Sequence, residues 1–257
     1  MNNIKANHIV VGKEVYISPT AKIGGISGQA NRVEIGDGTY IGDGVQIMVD
    51  DLKIGDYCKV HKNCTFHGYK PLHIGHNAWI GQNTIIDSIG GVLIGNNCGI
   101  GAYSQLWSHI RYGDPLAGCN YESSNPLTIG EDVWFVGHCI VSPIQAGDRS
   151  MALVGSVVTR DMSSDRVYGG SPAKDLTDKM KPQFSPLSVE EKRVVVSGFE
   201  LPDNIKWIES RSEIEDSSIS YFNIVERKYT KRGTSSEIQF MRTLQSKLIK
   251  FIPYADT

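Results

Sequence analysis

The chain has 257 residues, 40% of them hydrophobic and 21% charged, with a formal net charge of −2. That balance suits one large or two unequal domains and gives no bulk attraction to nucleic acid or to an anionic membrane. No apolar run approaches a membrane span, and Met1 to Ile9 lacks the apolar core of a signal peptide, so a cytoplasmic protein without stable membrane insertion is expected.

From Ile17 onward an aliphatic position recurs every six residues, with exceptions that are themselves regular. Grouped in threes, the positions are Ile17, Ile23, Gln29; Ile35, Ile41, Ile47; Ile54, Val60, Phe66; Ile74, Ile80, Ile86; Ile94, Ile100, Leu106; Ile129, Phe135, Val141; and Ala146, Ala152, Val158. Within each group the spacing is six; between groups it is 6, 7, 8, 8, 23 and 5. A chain that varies once per three repeats is turning three corners per coil and bulging at one of them. The expected fold is mainly β, a triangular parallel prism of about seven coils, stacked at roughly 4.8 Å per coil.

Most of these positions are followed by Gly and a turn former, as in Ile35-Gly36-Asp37 and Ile94-Gly95-Asn96, which accept a tight corner. Four residues after a repeat position stands a small residue: Thr39, Val45, Cys58, Cys64, Ala78, Thr84, Cys98, Ser104, Val133, Cys139. It has to fit a narrow interior. Four of the five cysteines are therefore read as buried filler, Cys119 in a loop as the exposed one, and the absence of CxxC leaves no zinc or redox motif.

The 23-residue interval from Leu106 to Ile129 is a long loop on a rigid scaffold, and such loops bind things. Its titratable groups are His109, Arg111, Asp114 and Glu122. His109 stands at the bulging corner, where a side chain can point outward. His61 and His67 follow Val60 and Phe66 and lie on successive faces, so they do not easily share a metal; His73, His76 and His138 are expected at the surface or at corners.

After Val158 the repeat stops. Thr159 to Lys174 reads as an ordered exit strap, not another coil, and Lys181 to Pro186 as a linker. The expected division is residues 1–176 for the prism with its strap and 183–257 for a small α+β region. There Ser188 to Glu191 resembles a capping box, but the valines that follow favour strand and leave the stretch open. Ile219 to Lys231 reads as β. Thr234 to Glu237 is a second capping box, starting a helix with Ile238, Met241, Leu244, Leu248, Ile249 and Ile252 on one face. That face is expected to cover a core; a basic membrane-facing helix carrying Arg242, Lys247 and Lys250 is the less favoured use.

The run from Leu127, LTIGEDVWFVGHCIVSPIQAGDRSMALVGSVVTRD, followed by VYGGSPAK, resembles the hexapeptide-repeat acyltransferases of the left-handed parallel β-helix class. The group is that of the maltose, galactoside and xenobiotic acetyltransferases and the sugar acetyltransferases of surface-polysaccharide pathways. The resemblance covers about residues 15 to 176 and alone implies the left hand, since crossover rules point the other way. It also implies a homotrimer, acetyl-coenzyme A as donor, a sugar hydroxyl or amine as acceptor, and direct transfer. The histidine about two dozen residues before the VW pair is then the general base, which is His109 here. By the same resemblance Trp134, Gly137, Val154 and Gly155 line the pantetheine slot, and Thr159, Arg160 and Lys174 meet the adenosine and phosphates. The last coil is one residue short, which puts the assignment of Val154 one place in question. Arg111, Asp114 and Glu122 are the expected acceptor contacts, and no metal is expected. The alternatives are a γ-carbonic-anhydrase-like zinc enzyme using His61, His67 and His109, which has no use for the GxPAK strap or the long loop, and a non-catalytic β-helix scaffold, for which the loop is superfluous.

Overall fold

An apolar side chain every sixth residue gives each side of a triangular coil one inward anchor, and stacked coils must bring like anchors into columns. The computed structural model describes residues 3–255 and shows this arrangement. Residues 1–184 carry three sheets of seven, nine and seven strands. On the first face the pairing aligns Val11, Ile35, Ile54, Ile74, Ile94, Ile129 and Ala146. The second aligns Ile17, Ile41, Val60, Ile80, Ile100, Phe135 and Ala152. The third aligns Ile23, Ile47, Phe66, Ile86, Leu106, Val141 and Val158. All seven coils advance in parallel, so the expected β-helix prism is the fold observed.

The first coil is framed differently from the expectation. Its anchors are Val11, Ile17 and Ile23, whereas Gln29 is exposed and Ala30 is buried in its place. The glycine-rich run Gly24 to Gly28 lifts the chain off the coil, and the strand Ala30–Ile35 brings it back, so the repeat is interrupted here as at the same corner of later coils.

The ten small residues four places after an anchor are all 0–1% exposed. The thiols among them donate to carbonyls of the next coil, Cys58 to Gly75 at 3.0 Å, Cys64 to Gly81 at 3.1 Å and Cys98 to Gly130 at 3.0 Å. Burial pushes the Cys58 thiol up to about 12 and the Cys64 thiol up to about 11, so they stay protonated filler. Cys119 is exposed.

The glycine that follows every first-face anchor, and Ile41, Ile80 and Ile100 on the second face, serves a purpose other than the one its position in a turn suggests. The left-handed backbone falls two residues later, at Tyr57, Asn63, Asn77, Asn83, Asn97, Tyr103, Asp132 and His138, with φ between 51° and 63°. The glycines instead mark where coils touch. A Cβ on Gly101 would lie 2.0 Å from the Val136 carbonyl oxygen, and one on Gly81 would lie 2.4 Å from the Ala102 nitrogen. Side chains one place further on form a ladder up the corner between the first and second faces. The Asp37 N–H donates to Asp56 Oδ1 at 2.8 Å, the Asp56 N–H to His76 Nδ1 at 2.9 Å, and the His76 N–H to Asn96 Oδ1 at 2.8 Å.

Past Val158 the chain goes further round than a strap. Met162 bridges to Ala146, and Val167–Gly169 pairs in parallel with Met151–Ala152, completing two sides of another coil. Lys174–Asp175 then turns back antiparallel along Tyr168 and Gly169.

Residues 185–257 form the second unit. The stretch left open is a helix, α1 (Val189–Val196). Both reciprocal hydrogen bonds of the Ser188–Glu191 box form, and Val194 and Val195 simply face outward, so no packing demand overrides the cap. Four strands, Ile205–Ile208, Ser220–Asn223, Lys228–Tyr229 and Ile252–Pro253, make one sheet. The helix α2 (Ser235–Ser246) buries Ile238, Phe240, Met241 and Leu244. It is shorter than expected: Leu248 adopts φ 62° and is 84% exposed, and Ile252 pairs with Lys228 as strand. Phe240 packs among Trp207 and Phe222, with ring centroids 5.4 and 5.3 Å away. Among the described residues no helix is long and apolar enough to cross a membrane.

If coil contact is what demands glycine, Gly101→Ala should cost about 1–3 kcal/mol or more by overpacking backbone against backbone. Gly155→Ala, where φ is 72° but nothing lies within 4 Å, should cost only its backbone strain, about 1–2 kcal/mol. Denaturant unfolding of the two variants checks the order.

Candidate functional site

The long loop leaves the third face after Leu106 and returns at Leu127–Ile129. It folds back as a short hairpin in which Ile110–Arg111 pairs antiparallel with Glu122–Ser123. Arg111 Nη1 reaches Glu122 Oε1 at 3.3 Å across it, and Asp114 accepts the Leu116 N–H at 2.8 Å to cap a single 3₁₀ turn. The loop's two feet close tightly over the coil before it. A Cβ on Gly90 would fall 2.0 Å from the Ser108 carbonyl oxygen and 2.7 Å from that of Asn125, and the Gly90 N–H donates to Ser108 Oγ at 2.8 Å.

Against these feet stands a carboxylate. Asp87 follows the third-face anchor Ile86 and is 0% exposed. Its Oδ1 lies 2.8 Å from His109 Nδ1 and accepts the Ser108 hydroxyl at 3.0 Å and the Ser108 N–H at 3.3 Å. His67, its partner one coil earlier in the strand register, places Nε2 3.2 Å from Oδ2. Burial by itself pushes the Asp87 carboxyl up, but the imidazoles of His67 and His109 and the Ser108 hydroxyl outweigh it and hold it down at about 2. Asp87 is therefore ionised at neutral pH and can only accept. The neutral His109 ring must then carry its proton on Nδ1, which leaves Nε2 with a lone pair at the partly exposed base of the loop. Such a ring can take a proton from a bound group, with a fixed negative charge behind it to stabilise the imidazolium.

His67 and His109 are thus brought together on one carboxylate. Neither Asp87 nor the role of His67 is among the sequence expectations, yet the signal was present. Both residues come directly after a third-face anchor, Phe66 or Ile86, so parallel stacking makes them neighbours.

The remaining expected residues divide between two edges of the prism. Trp134 projects from the second face, 41% exposed, with its Cδ1 3.0 Å from where a Gly99 Cβ would stand. Gly137 and Gly155 stack at the corner between the second and third faces, the Gly155 N–H donating to the Gly137 carbonyl at 2.9 Å. Val154 is 65% exposed beside them. Lys174 is exposed on the returning strand of the second face. Thr159 and Arg160, both exposed, follow Val158 at the other edge of the third face, the edge that carries His109 two coils earlier. Arg111 and Glu122 are paired with each other and Asp114 caps its own turn, so all three shape the hairpin.

His61, His73 and His138 have local partners. His61 sits between Tyr40 and Trp79, at 6.2 and 4.8 Å, and burial, then Lys59, lowers its pKa. His73 Nε2 lies 3.5 Å from Asp51, and His138 stacks on Tyr103 at 4.9 Å.

No protein-family model matches the chain. Galactoside O-acetyltransferase of Escherichia coli (strain K12) is 31% identical over 126 residues, 47% of this chain and 61% of the relative. The polysialic acid O-acetyltransferase OatWY is similar in structure at a TM-score of 0.48 and 17% identity, over 75% of this chain and 99% of that one. The N-acyltransferase AntD from Bacillus cereus, crystallised with dTDP and 3-hydroxybutyryl-CoA, gives a TM-score of 0.40 at 18% identity, over 76% and 88%. The chain spans 25%, 57% and 61% of the length of the first three curated relatives. The likeness to a galactoside O-acetyltransferase agrees with the resemblance that the sequence carries.

The Asp87 carboxyl supplies a pH test. Its value falls from 3.8 to about 2 on folding, so the unfolded chain binds the proton more readily between those values. The stabilisation is fully present above pH ~4 and is lost as pH falls toward 2. Asp87→Asn should therefore be less stable than the parent at pH 6, and the gap should narrow progressively below pH ~4. Urea midpoints measured across that range check it.

Proposed function

We propose that the chain transfers an acetyl group from acetyl-coenzyme A to a hydroxyl or amino group of a sugar, with His109 as general base. The observation that carries this reading is the His109 ring, tied through Nδ1 to a buried, ionised carboxylate and open at Nε2. The likeness of the chain to a galactoside O-acetyltransferase supports the reaction class. The acceptor's proton passes to Nε2 as its oxygen or nitrogen attacks the thioester carbonyl. Asp87 stabilises the imidazolium while the tetrahedral centre exists. Collapse of that centre breaks the carbon–sulfur bond, the acetyl group stays on the acceptor, and the imidazolium returns its proton to the coenzyme A sulfur. No acyl-enzyme forms, so no side-chain nucleophile is required.

Trp134, Gly137, Val154 and Gly155 take the pantetheine arm in this reading. Thr159, Arg160 and Lys174 take the adenosine and phosphates, where cationic groups and hydroxyls match phosphate oxygens. Gly137 and Gly155 stand at the edge of the third face opposite His109, so a pantetheine arm lying along theirs meets the base of another prism, whose Thr159 and Arg160 share the His109 edge. That supports a homotrimer with sites between subunits. The hairpin bearing Arg111, Asp114 and Glu122 forms the acceptor's rim. The reaction belongs in the cytoplasm, where acetyl-coenzyme A and sugar precursors meet.

Two outcomes follow. Calorimetry with coenzyme A should show one site per chain, and no heat at millimolar ligand would sink the acyltransferase reading. His109→Ala should lower turnover of acetyl-coenzyme A with a panel of amino- and deoxysugar nucleotides by about 10²-fold or more, with coenzyme A affinity unchanged. Full activity in that variant would move the base elsewhere.

A further inference from the structure

Asp87 has two oxygens and they are served unequally. Oδ1 receives His109 Nδ1, the Ser108 hydroxyl and the Ser108 N–H. Oδ2 is buried and has no aligned hydrogen bond among the described residues; His67 Nε2 stands 3.2 Å away. A buried carboxylate oxygen left without a donor is costly, and the carboxylate escapes that cost by rotating or by taking a proton. Either escape destroys what His109 needs. Rotation removes the acceptor from Nδ1. A protonated carboxyl becomes a donor, and it can then hold the wrong tautomer of the ring, with the proton on Nε2 and no lone pair facing outward.

We infer that His67 is a positioning residue for the base: its Nε2–H closes Oδ2 and locks Asp87 as an ionised acceptor with Oδ1 turned to His109. This rests on the acyl-transfer reading for its purpose, but not for its geometry.

Several features support it. His67 is built into the third face by the register that pairs it with Met48 on one side and Asp87 on the other, so the backbone fixes its height against the carboxylate. Its side chain is 30% exposed, which places it as the wall between the carboxylate and solvent. The next residue, Gly68, has φ 156°, and a Cβ there would lie 2.2 Å from Ser88 Oγ and 2.3 Å from the Ser88 carbonyl carbon. The corner after His67 is thereby pressed onto the corner after Asp87, which leaves the two side chains little freedom to part.

The test compares His67→Ala, His67→Leu and His67→Gln in the full chain. Leu fills the volume without a donor, which keeps the comparison valid if Ala fails to fold; Gln restores an N–H. The first readout is the ¹⁵N-edited proton spectrum of labelled histidine, with the His109 signal assigned by its loss in His109→Gln. The parent and His67→Gln should show a downfield Nδ1–H of His109, slow to exchange with water. In His67→Leu and His67→Ala that signal should broaden or vanish and the ring nitrogens should report mixed tautomers. The second readout is kinetic. Turnover should fall about ten- to a hundredfold in the Leu and Ala variants, as when groups that orient a working histidine are removed, with the KM for acetyl-coenzyme A unchanged and Gln recovering most of the loss. An unaltered His109 Nδ1–H signal in His67→Leu overturns the inference, whatever the chain catalyses. The expected spectral change without any acyl transfer upholds the positioning role and instead removes the acyltransferase reading.

Discussion

The contact between backbone and backbone from one coil to the next governs this prism. Consecutive coils meet so closely behind the glycine-followed anchors that a single extra carbon at Gly101 would stand 2.0 Å from a carbonyl oxygen. That closeness leaves no room for a Cβ after any first-face anchor, and it confines the positions four places after an anchor to thiols, hydroxyls and short aliphatics. It also fixes register. A parallel stack that cannot slip or spread converts sequence distance into position along an edge, so residues about twenty apart become neighbours whose height against each other is settled by backbone alone.

The candidate site depends on this rigidity. A carboxylate that is 0% exposed would ordinarily be neutralised by burial, and an ionised one needs donors placed with little freedom to leave. Here the groups around Asp87 come from the coils on either side of it: Ser108 and His109 on Oδ1 from the next coil, and His67, 3.2 Å from Oδ2, from the one before. None has to be held by a flexible loop, because His109 lies at the loop's foot and not on its hairpin. The hairpin's charged groups, by contrast, satisfy each other. The rigid part of the bulge thus holds the imidazole and carboxylate to which the proposed reading assigns the proton chemistry, and the projecting part stands apart from them.

Periodicity made the prism legible because it is the direct image of stacking, and the small interior positions were legible for the same reason. Gln29 misled because a run of exact sixes continues through it by accident of composition; only pairing shows that Val11 opens the first column. The three valines of α1 and the long apolar face of α2 were misjudged for a common reason. Propensity and periodicity describe single segments, whereas a formed capping box decided the first and the pairing of Ile252 with Lys228 decided the second. His109 stood out through its loop. Asp87 did not, because a lone Asp after an anchor looks like any polar corner residue until His67 and His109 are placed on either side of it. Its charge state follows from that company and cannot be read from its own neighbours in sequence.

The three corners differ in a way that organises the chemistry. From the first anchor to the second, and from the second to the third, the spacing is six in every one of the seven coils. Only the corner between the third and first faces varies, with intervals of 12, 7, 8, 8, 23 and 5 between successive coils once the first is framed from Val11. A corner that never varies offers an even groove of stacked backbone amides, such as that at Gly137 and Gly155, which suits an extended donor of constant shape. A corner that can take any length offers loops, and with them room for acceptors of differing shape. In the proposed acyl-transfer reading, a base at the variable corner, on a carboxylate anchored inside the coils, joins the two requirements. On that reading the acceptor side can change by insertion without moving the atom proposed to receive its proton, because Asp87 and His67 stay with the stack.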